Sequence, residues 1–186
     1  MARTTRQYAS DINQTSISAA DGVVGDSGNI EYRHAQSFTL TIGTRIGSVS
    51  WHLNTTTGTP AGQMSARIES NSNGVPSGNL AHPNATSSVT PSGSFVYITH
   101  SYTPFTLPAG VYWIVLGCDN QALNNNWVLS RAGDVYAGGE DRYKADAGAW
   151  TSQGGIDLAF KVTMAGTPTR TSASTRNVAS ARNLVV

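Results

Sequence analysis

The chain has 186 residues, a mass of 19.6 kDa and a formal net charge of +1. Only 12% of its residues are charged, against about 25% in ordinary globular proteins. Ser and Thr together number 42 and Gly adds 19, so the polar surface is built from hydroxyls, amides and backbone. This composition excludes a coiled coil, which needs Glu, Lys and Leu in bulk. It also excludes binding to nucleic acid through bulk positive charge.

Residues 1–22 are polar with isolated apolar side chains such as Tyr8, Ile12 and Ile17, and they predict an arm carrying at most a short strand. A β-rich body follows over residues 23–164. Residues 36–42 put Phe38, Leu40 and Ile42 in one phase, and residues 45–54 put Val49, Trp51 and Leu53 opposite Ser50 and His52. Residues 63–70 set Met64, Ala66 and Ile68 against Arg67 and Glu69. Residues 94–102 set Phe95, Tyr97 and Thr99 against Val96, Ile98 and His100, with the histidines expected outside. Residues 111–118 are apolar on both faces, as in a central strand, and carry the lone Cys118 as a buried bystander. Short strands are predicted over 127–131 and 134–137, and a closing strand over 156–164. Gly- and Pro-dense turns separate them, among them 57–62, 72–78, 91–93 and 107–110. About eight antiparallel strands with such loops predict an all-β, antiparallel two-sheet β-sandwich of jelly-roll type with extended N- and C-terminal arms.

The order of motifs carries a resemblance. Ala-Gln-Ser-Phe, Ser-Val-Ser-Trp-His-Leu and Gly-Thr-Pro-Ala-Gly-Gln-Met-Ser-Ala-Arg-Ile-Glu are followed by Phe-Thr-Leu-Pro-Ala-Gly-Val-Tyr-Trp-Ile-Val-Leu and Ile-Asp-Leu-Ala-Phe-Lys-Val. Over about residues 30–164 this resembles the carbohydrate-binding-module-like β-sandwich domains of bacterial surface proteins and phage virion proteins. The resemblance implies a surface module and leaves the role open, since such folds host many functions.

Residues 165–186 repeat Arg every six positions, at Arg170, Arg176 and Arg182. An even period keeps all three on one face of an extended chain, roughly 20 Å apart. The segment therefore predicts an arm laid along a partner, with Val178 and Leu184 as anchors; a solvated low-complexity tail is the alternative. Residues 1–20 add Arg3 and Arg6 against Asp11, and residues 21–164 hold seven bases against ten acids. Basic arms on an acidic body suit docking on neighbouring subunits.

Catalytic patterns are not evident. His34, His52, His82 and His100 match no metal-ligand spacing, and no nucleophile elbow or phosphate-binding loop occurs. Glu140, Asp141 and Asp146 interleave with Arg142 and Lys144, which predicts an ion-paired, solvated loop rather than a glycosidase pair. Asp119, Asn120, Asn124, Asn125 and Asn126 offer oxygen donors for calcium but only one charge, so a plain Asn-rich loop is preferred. No metal or cofactor is expected. Trp51 and Trp113 are expected in the core, leaving Trp150, Tyr143 and Trp127 as candidate platforms for a sugar.

The resulting expectation is a non-enzymatic structural protein of a phage-like particle, a capsid decoration or cement protein docked by its arms. The alternative is a tail or fibre adhesin, or a free carbohydrate-binding module. Expected partners are other virion proteins and copies of itself, with host-surface glycan as a further candidate; neither membrane nor nucleic acid is expected. The N-terminus has no apolar signal region, so synthesis in a host cytoplasm and location in the virion are expected.

Overall fold

A computed structural model describes residues 10–118 and 123–166. Alternating apolar residues and Gly-rich turns produce fourteen antiparallel strands in one continuous hydrogen-bonded network, and the described residues contain no helix. The first strands are β1 (Ile12–Gln14), β2 (Ala19–Asp26), β3 (Glu31–Leu40), β4 (Thr44–Thr57) and β5 (Met64–Ser72). Next come β6 (Val75–Leu80), β7 (Thr86–Val89), β8 (Val96–Leu107), β9 (Gly110–Cys118) and β10 (Asn126–Gly133). The last are β11 (Asp141–Ala145), β12 (Thr151–Ser152), β13 (Ile156–Leu158) and β14 (Phe160–Met164).

The main path runs β1-β14-β4-β10-β2-β3-β9-β5-β6. Strand β8 lies on the other side of β4, β7 pairs with β5, and β11 pairs with both β3 and β12. One core gathers side chains from across this order, with Phe38 of β3, Trp51 and Leu53 of β4, Ile68 of β5, Trp127 of β10 and Phe160 of β14 fully enclosed. Each such side chain stabilises the fold by roughly 1.5–3 kcal/mol relative to an exposed position. Strand β9 is central as expected, held between β3 and β5, and Cys118 is buried.

Several elements differ from the sequence reading. Residues 12–14 and 19–22, expected in an arm, are strand residues of the same network. The turn expected over 72–78 is a hairpin: Asn73 and Gly74 have φ of 52° and 79°, the left-handed pair that joins two strands by two residues. Residues 134–137 are not a strand, because Val135 N and Tyr136 N both donate to Asp157 Oδ2, at 3.0 and 2.8 Å, and the chain then turns at 137–138. The closing run splits at Ala159, whose backbone bonds Ser130 O on one side and His52 N on the other. It leaves β10 as β13 and joins β4 as β14.

The histidines of β4 and β8 are not outside. His52 is buried under Tyr97, whose ring meets it edge-on at 5.0 Å, and its Nδ1 bonds Ser130 Oγ at 2.8 Å. His100 pairs with Val49 and therefore faces the core with Ile98 and Tyr102. Its Nδ1 meets Ser87 O at 3.2 Å, tying β8 to β7, while Nε2 is buried without a partner.

Burial pulls the His100 pKa from 6.5 to about 4, with the Ser87 bond opposing. The folded state thus binds fewer protons than the unfolded chain between these values. Its contribution is complete above pH 6.5 and fades as the pH falls through 4, by about 3 kcal/mol in total. Urea midpoints of the wild type should fall more steeply between pH 7 and 4.5 than those of His100→Phe. Parallel slopes would contradict the burial of a neutral imidazole.

Candidate functional site

The polar end of the fold begins at β3. The phase that buries Phe38 and Leu40 continues backwards through Gln36 and His34 to Tyr32, so polar side chains occupy core-facing positions. Such positions are sustained only by hydrogen-bonded partners. They come from the chain between β10 and β13.

That chain lands on β3 through Gly139, where an added Cβ would collide with the Ser37 carbonyl oxygen. Glu140 N donates to Ser37 Oγ at 2.8 Å, and Ser37 N donates to Glu140 O at 3.0 Å. This clamp starts β11 in the register that places Asp141 beside Gln36 and Tyr143 beside His34. Asp141 is fully buried. Its Oδ1 accepts from His34 Nδ1 at 3.1 Å, and its Oδ2 accepts from Arg131 Nη1 of β10 at 3.2 Å. All three side chains are nearly or wholly excluded from solvent. The carboxylate selects the imidazole tautomer with hydrogen on Nδ1.

A second buried carboxylate stands behind the first. Asp157 Oδ1 accepts from Gln36 Nε2 at 3.0 Å, its Oδ2 holds residues 135–136, and Gln36 Oε1 accepts from Leu158 N at 2.7 Å. Burial raises the Asp157 pKa, and these hydrogen bonds oppose the rise.

Above Asp141 opens a cleft of about 310 Å³. One wall is β3 and β11, contributing Tyr32, His34 and Tyr143; the other carries Val23 and Arg131, with Ser27 and Gln153 also lining the space. The three rings form a strip: Tyr143 lies 6.3 Å from Tyr32 and 6.2 Å from His34, tilted by 35° and 31°.

The opposite face of the same strands carries a small apolar cluster of Ala35, Trp113 and Val115, with Trp150 packed against it. Arg142 lies over Trp113 at 5.8 Å and Lys144 over Trp150 at 5.5 Å. A depression of about 410 Å³ beside them is lined by Glu31, Arg33, Lys144, Asp146 and Ala147, and Arg33 is ion-paired to Glu31 at 2.9 Å.

These positions sort the sequence candidates. Tyr143 lines the cleft, whereas Trp150 packs on the other face, so the two do not form one platform. Trp127 is in the main core, 1% exposed, and offers no face to a ligand. Trp113 is buried as expected, though in the small outer cluster rather than the main core. Within the 140–146 segment, Asp141–Ala145 is a paired strand rather than a loop, and Asp141 is not solvated; Glu140–Arg142, at 2.7 Å, keeps the expected partly exposed ion pair. Asn124 and Asn125 brace turns by accepting from Gly28 N and Thr59 N, both at 2.8 Å. Asp119, Asn120 and the arm residues Arg3, Arg6, Arg170, Arg176, Val178, Arg182 and Leu184 lie outside the described residues. Among the described residues, no group of three His, Cys, Asp or Glu side chains is placed to hold a metal.

The cleft residues Tyr32, Arg131 and Gln153 were not candidates in the sequence, and His34 was noted only as one of four histidines. A signal existed for two of them, because Tyr32 and His34 share the even phase of Phe38. Comparison with family models, curated proteins and solved structures finds no match.

Removing the Asp141 carboxylate takes its 3.2 Å ion pair from the buried Arg131 and the hydrogen-bond acceptor from His34. Asp141→Ala should lose about 3–5 kcal/mol in urea unfolding. The double variant Arg131→Met with Asp141→Leu should recover part of that loss. A loss under about 1 kcal/mol in the single variant would show that the pair is solvated.

Proposed function

We propose that the protein is a non-enzymatic structural component of a phage-like particle, built as a jelly-roll sandwich and fixed to neighbouring subunits by its two terminal segments. The sandwich reading draws on two strand sets, β8-β4-β14-β1 and β11-β3-β9-β5, that contribute to one core. The functional reading rests foremost on where the described chain begins and ends.

Strand β1 is antiparallel to β14, with Ile12 beside Val162, and Met164 N donates to Asp11 Oδ1 at 2.8 Å. Ala165 N donates to Arg45 O at 2.8 Å. The described chain therefore begins and ends at one corner. Residues 1–9 and 167–186 together hold five arginines and no acidic side chain, whereas residues 10–166 hold seven bases and eleven acids. Two basic segments joined to one corner of an acidic body suit attachment to an acidic, repeated surface, including the body of the next copy. Capsid decoration is the form of attachment we favour.

An adhesin on a tail or fibre is the second form, and the position of the cleft favours it. The described chain begins and ends beside the start of β4, which follows β3 directly after Leu40. Tyr32 and His34 lie at the other end of β3, with Tyr32 about 26 Å from Leu40 along the strand. The cleft would then face away from the attachment point.

The test compares the full chain with a version ending at Gly166, by sedimentation and by binding to its particle. The full chain should associate, more weakly at high salt, and the shortened chain should remain a monomer with an unchanged melting temperature. Equal association of both would overturn docking by the C-terminal segment.

A further inference from the structure

Among the described residues six strands pair on one side only: β1, β6, β7, β8, β12 and β13. Such edges invite a further strand unless proline, brevity or a covering neighbour protects them. Strand β8 carries Pro104 and is faced by β7 through the bond between His100 Nδ1 and Ser87 O. Strand β6 carries Pro76 and Gly78, β12 has two residues, and β13 is met by Gln14 Nε2, which donates to Leu158 O at 3.4 Å. The edge that begins with β1 lacks this cover. Residues 10–18 contain no Pro, Gly or basic side chain, and all but Ile12 and Gln14 are exposed.

This edge is both acidic and apolar. Asp11 precedes β1. Ile17, 46% exposed, is set beside the end of β10 by the bond from Ser18 N to Arg131 O at 2.9 Å. The exposed Asp134 and Val135 follow that same end of β10. Neither aspartate has an ion pair among the described residues. Lys161, opposite Asn13, leans the other way, with its Nζ 3.8 Å over the Tyr97 ring of β8.

We propose that the edge from Asp11 to Ile17 receives residues 176–186 of a second copy of this chain as an added strand. The inference rests on the reading of the C-terminal segment as a docking segment and names its receptor. That segment suits the edge in three ways. Residues 169–186 contain no Pro or Gly, so they can supply an unbroken row of main-chain donors and acceptors. They contain no acidic side chain, so their arginines complement Asp11 and Asp134. Arg176, Val178, Arg182 and Leu184 all occupy even positions, so an extended chain presents charge and apolar surface on one face. The edge offers the matching pair, carboxylates beside Ile17 and Val135. Reciprocal exchange between two copies uses each edge once and closes as a two-fold dimer.

The test mixes two full-length variants, one carrying Ile17→Cys and the other Val178→Cys or Leu184→Cys; the native Cys118 is buried. Under copper–phenanthroline oxidation the mixture should form a disulfide-linked pair of chains. Phe95→Cys, exposed at the far end of β4, replaces Ile17→Cys as the control and should give several times less. Val178→Pro with Leu184→Pro should abolish self-association in sedimentation with the melting temperature retained, whereas Val178→Thr, which keeps a strand-forming residue, should preserve it. Equal linkage of the Phe95→Cys control, linkage only within a chain that carries both thiols, association indifferent to the two prolines, or a full chain that stays monomeric would each overturn the proposal. If the chain ending at Gly166 loses association while Ile17→Cys gives no linkage, docking by the C-terminal segment stands and this edge is not its receptor. If that shortened chain associates as well as the full one, the docking reading itself fails.

Discussion

The polar end of this protein depends on one buried carboxylate. Asp141 accepts from His34 of β3 and Arg131 of β10 while itself belonging to β11, so three strands meet at a single charged side chain. Such a group is costly to bury and is sustained only when both oxygens are bonded. Its position follows from a close backbone approach at Gly139 and from the reciprocal bonds between Ser37 and Glu140. From there the register of β11 determines the rest. Tyr143 comes to lie between Tyr32 and His34, while Arg142 and Lys144 turn to the tryptophans on the opposite face.

Much of the fold is legible in the alternation of apolar residues, because a half-buried strand imposes a period of two on its sequence. The runs around Trp51, Ile68 and Val115 become β4, β5 and β9, with the expected apolar side chains inside. The same rule was available for His100, which shares a phase with Ile98 and Tyr102. A histidine reads as a surface residue until its cross-strand partner, Val49, is known. The turn at Asn73-Gly74 is a recognisable hairpin signal, but the strand after it, with Pro76 and Gly78, is not strand-like in composition. The candidate site was less legible. Asp141 sits among Glu140, Arg142 and Lys144, and a mixed-charge run looks solvated; its burial is a consequence of residues 34 and 131, far away in the chain. The separation of Tyr143 from Trp150 likewise follows from strand alternation within an element that the sequence reads as a loop.

The net charge of +1 conceals two opposed parts. The residues between 10 and 166 are acidic, and the terminal segments carry five arginines with no acidic side chain. Because β1 pairs with β14, the described chain begins and ends at one corner, beside the start of β4. The aromatic cleft lies towards the far end of β3. Attachment at one end and recognition at the other would make the strand length of the body the spacer between them, with no separate linker domain.

The account is tested most directly by which end is covered when the protein is assembled. Cys118 is buried, so a single introduced thiol can be read by maleimide without interference. Thr163 is exposed at the corner where the described chain begins and ends, and Ala147 is exposed in the turn after β11, at the cleft end. In the particle-bound or self-associated protein, Thr163→Cys should be protected and Ala147→Cys should react as fast as in the free chain. Protection of Ala147→Cys with free reaction of Thr163→Cys, or equal reaction of both, would contradict attachment through that corner.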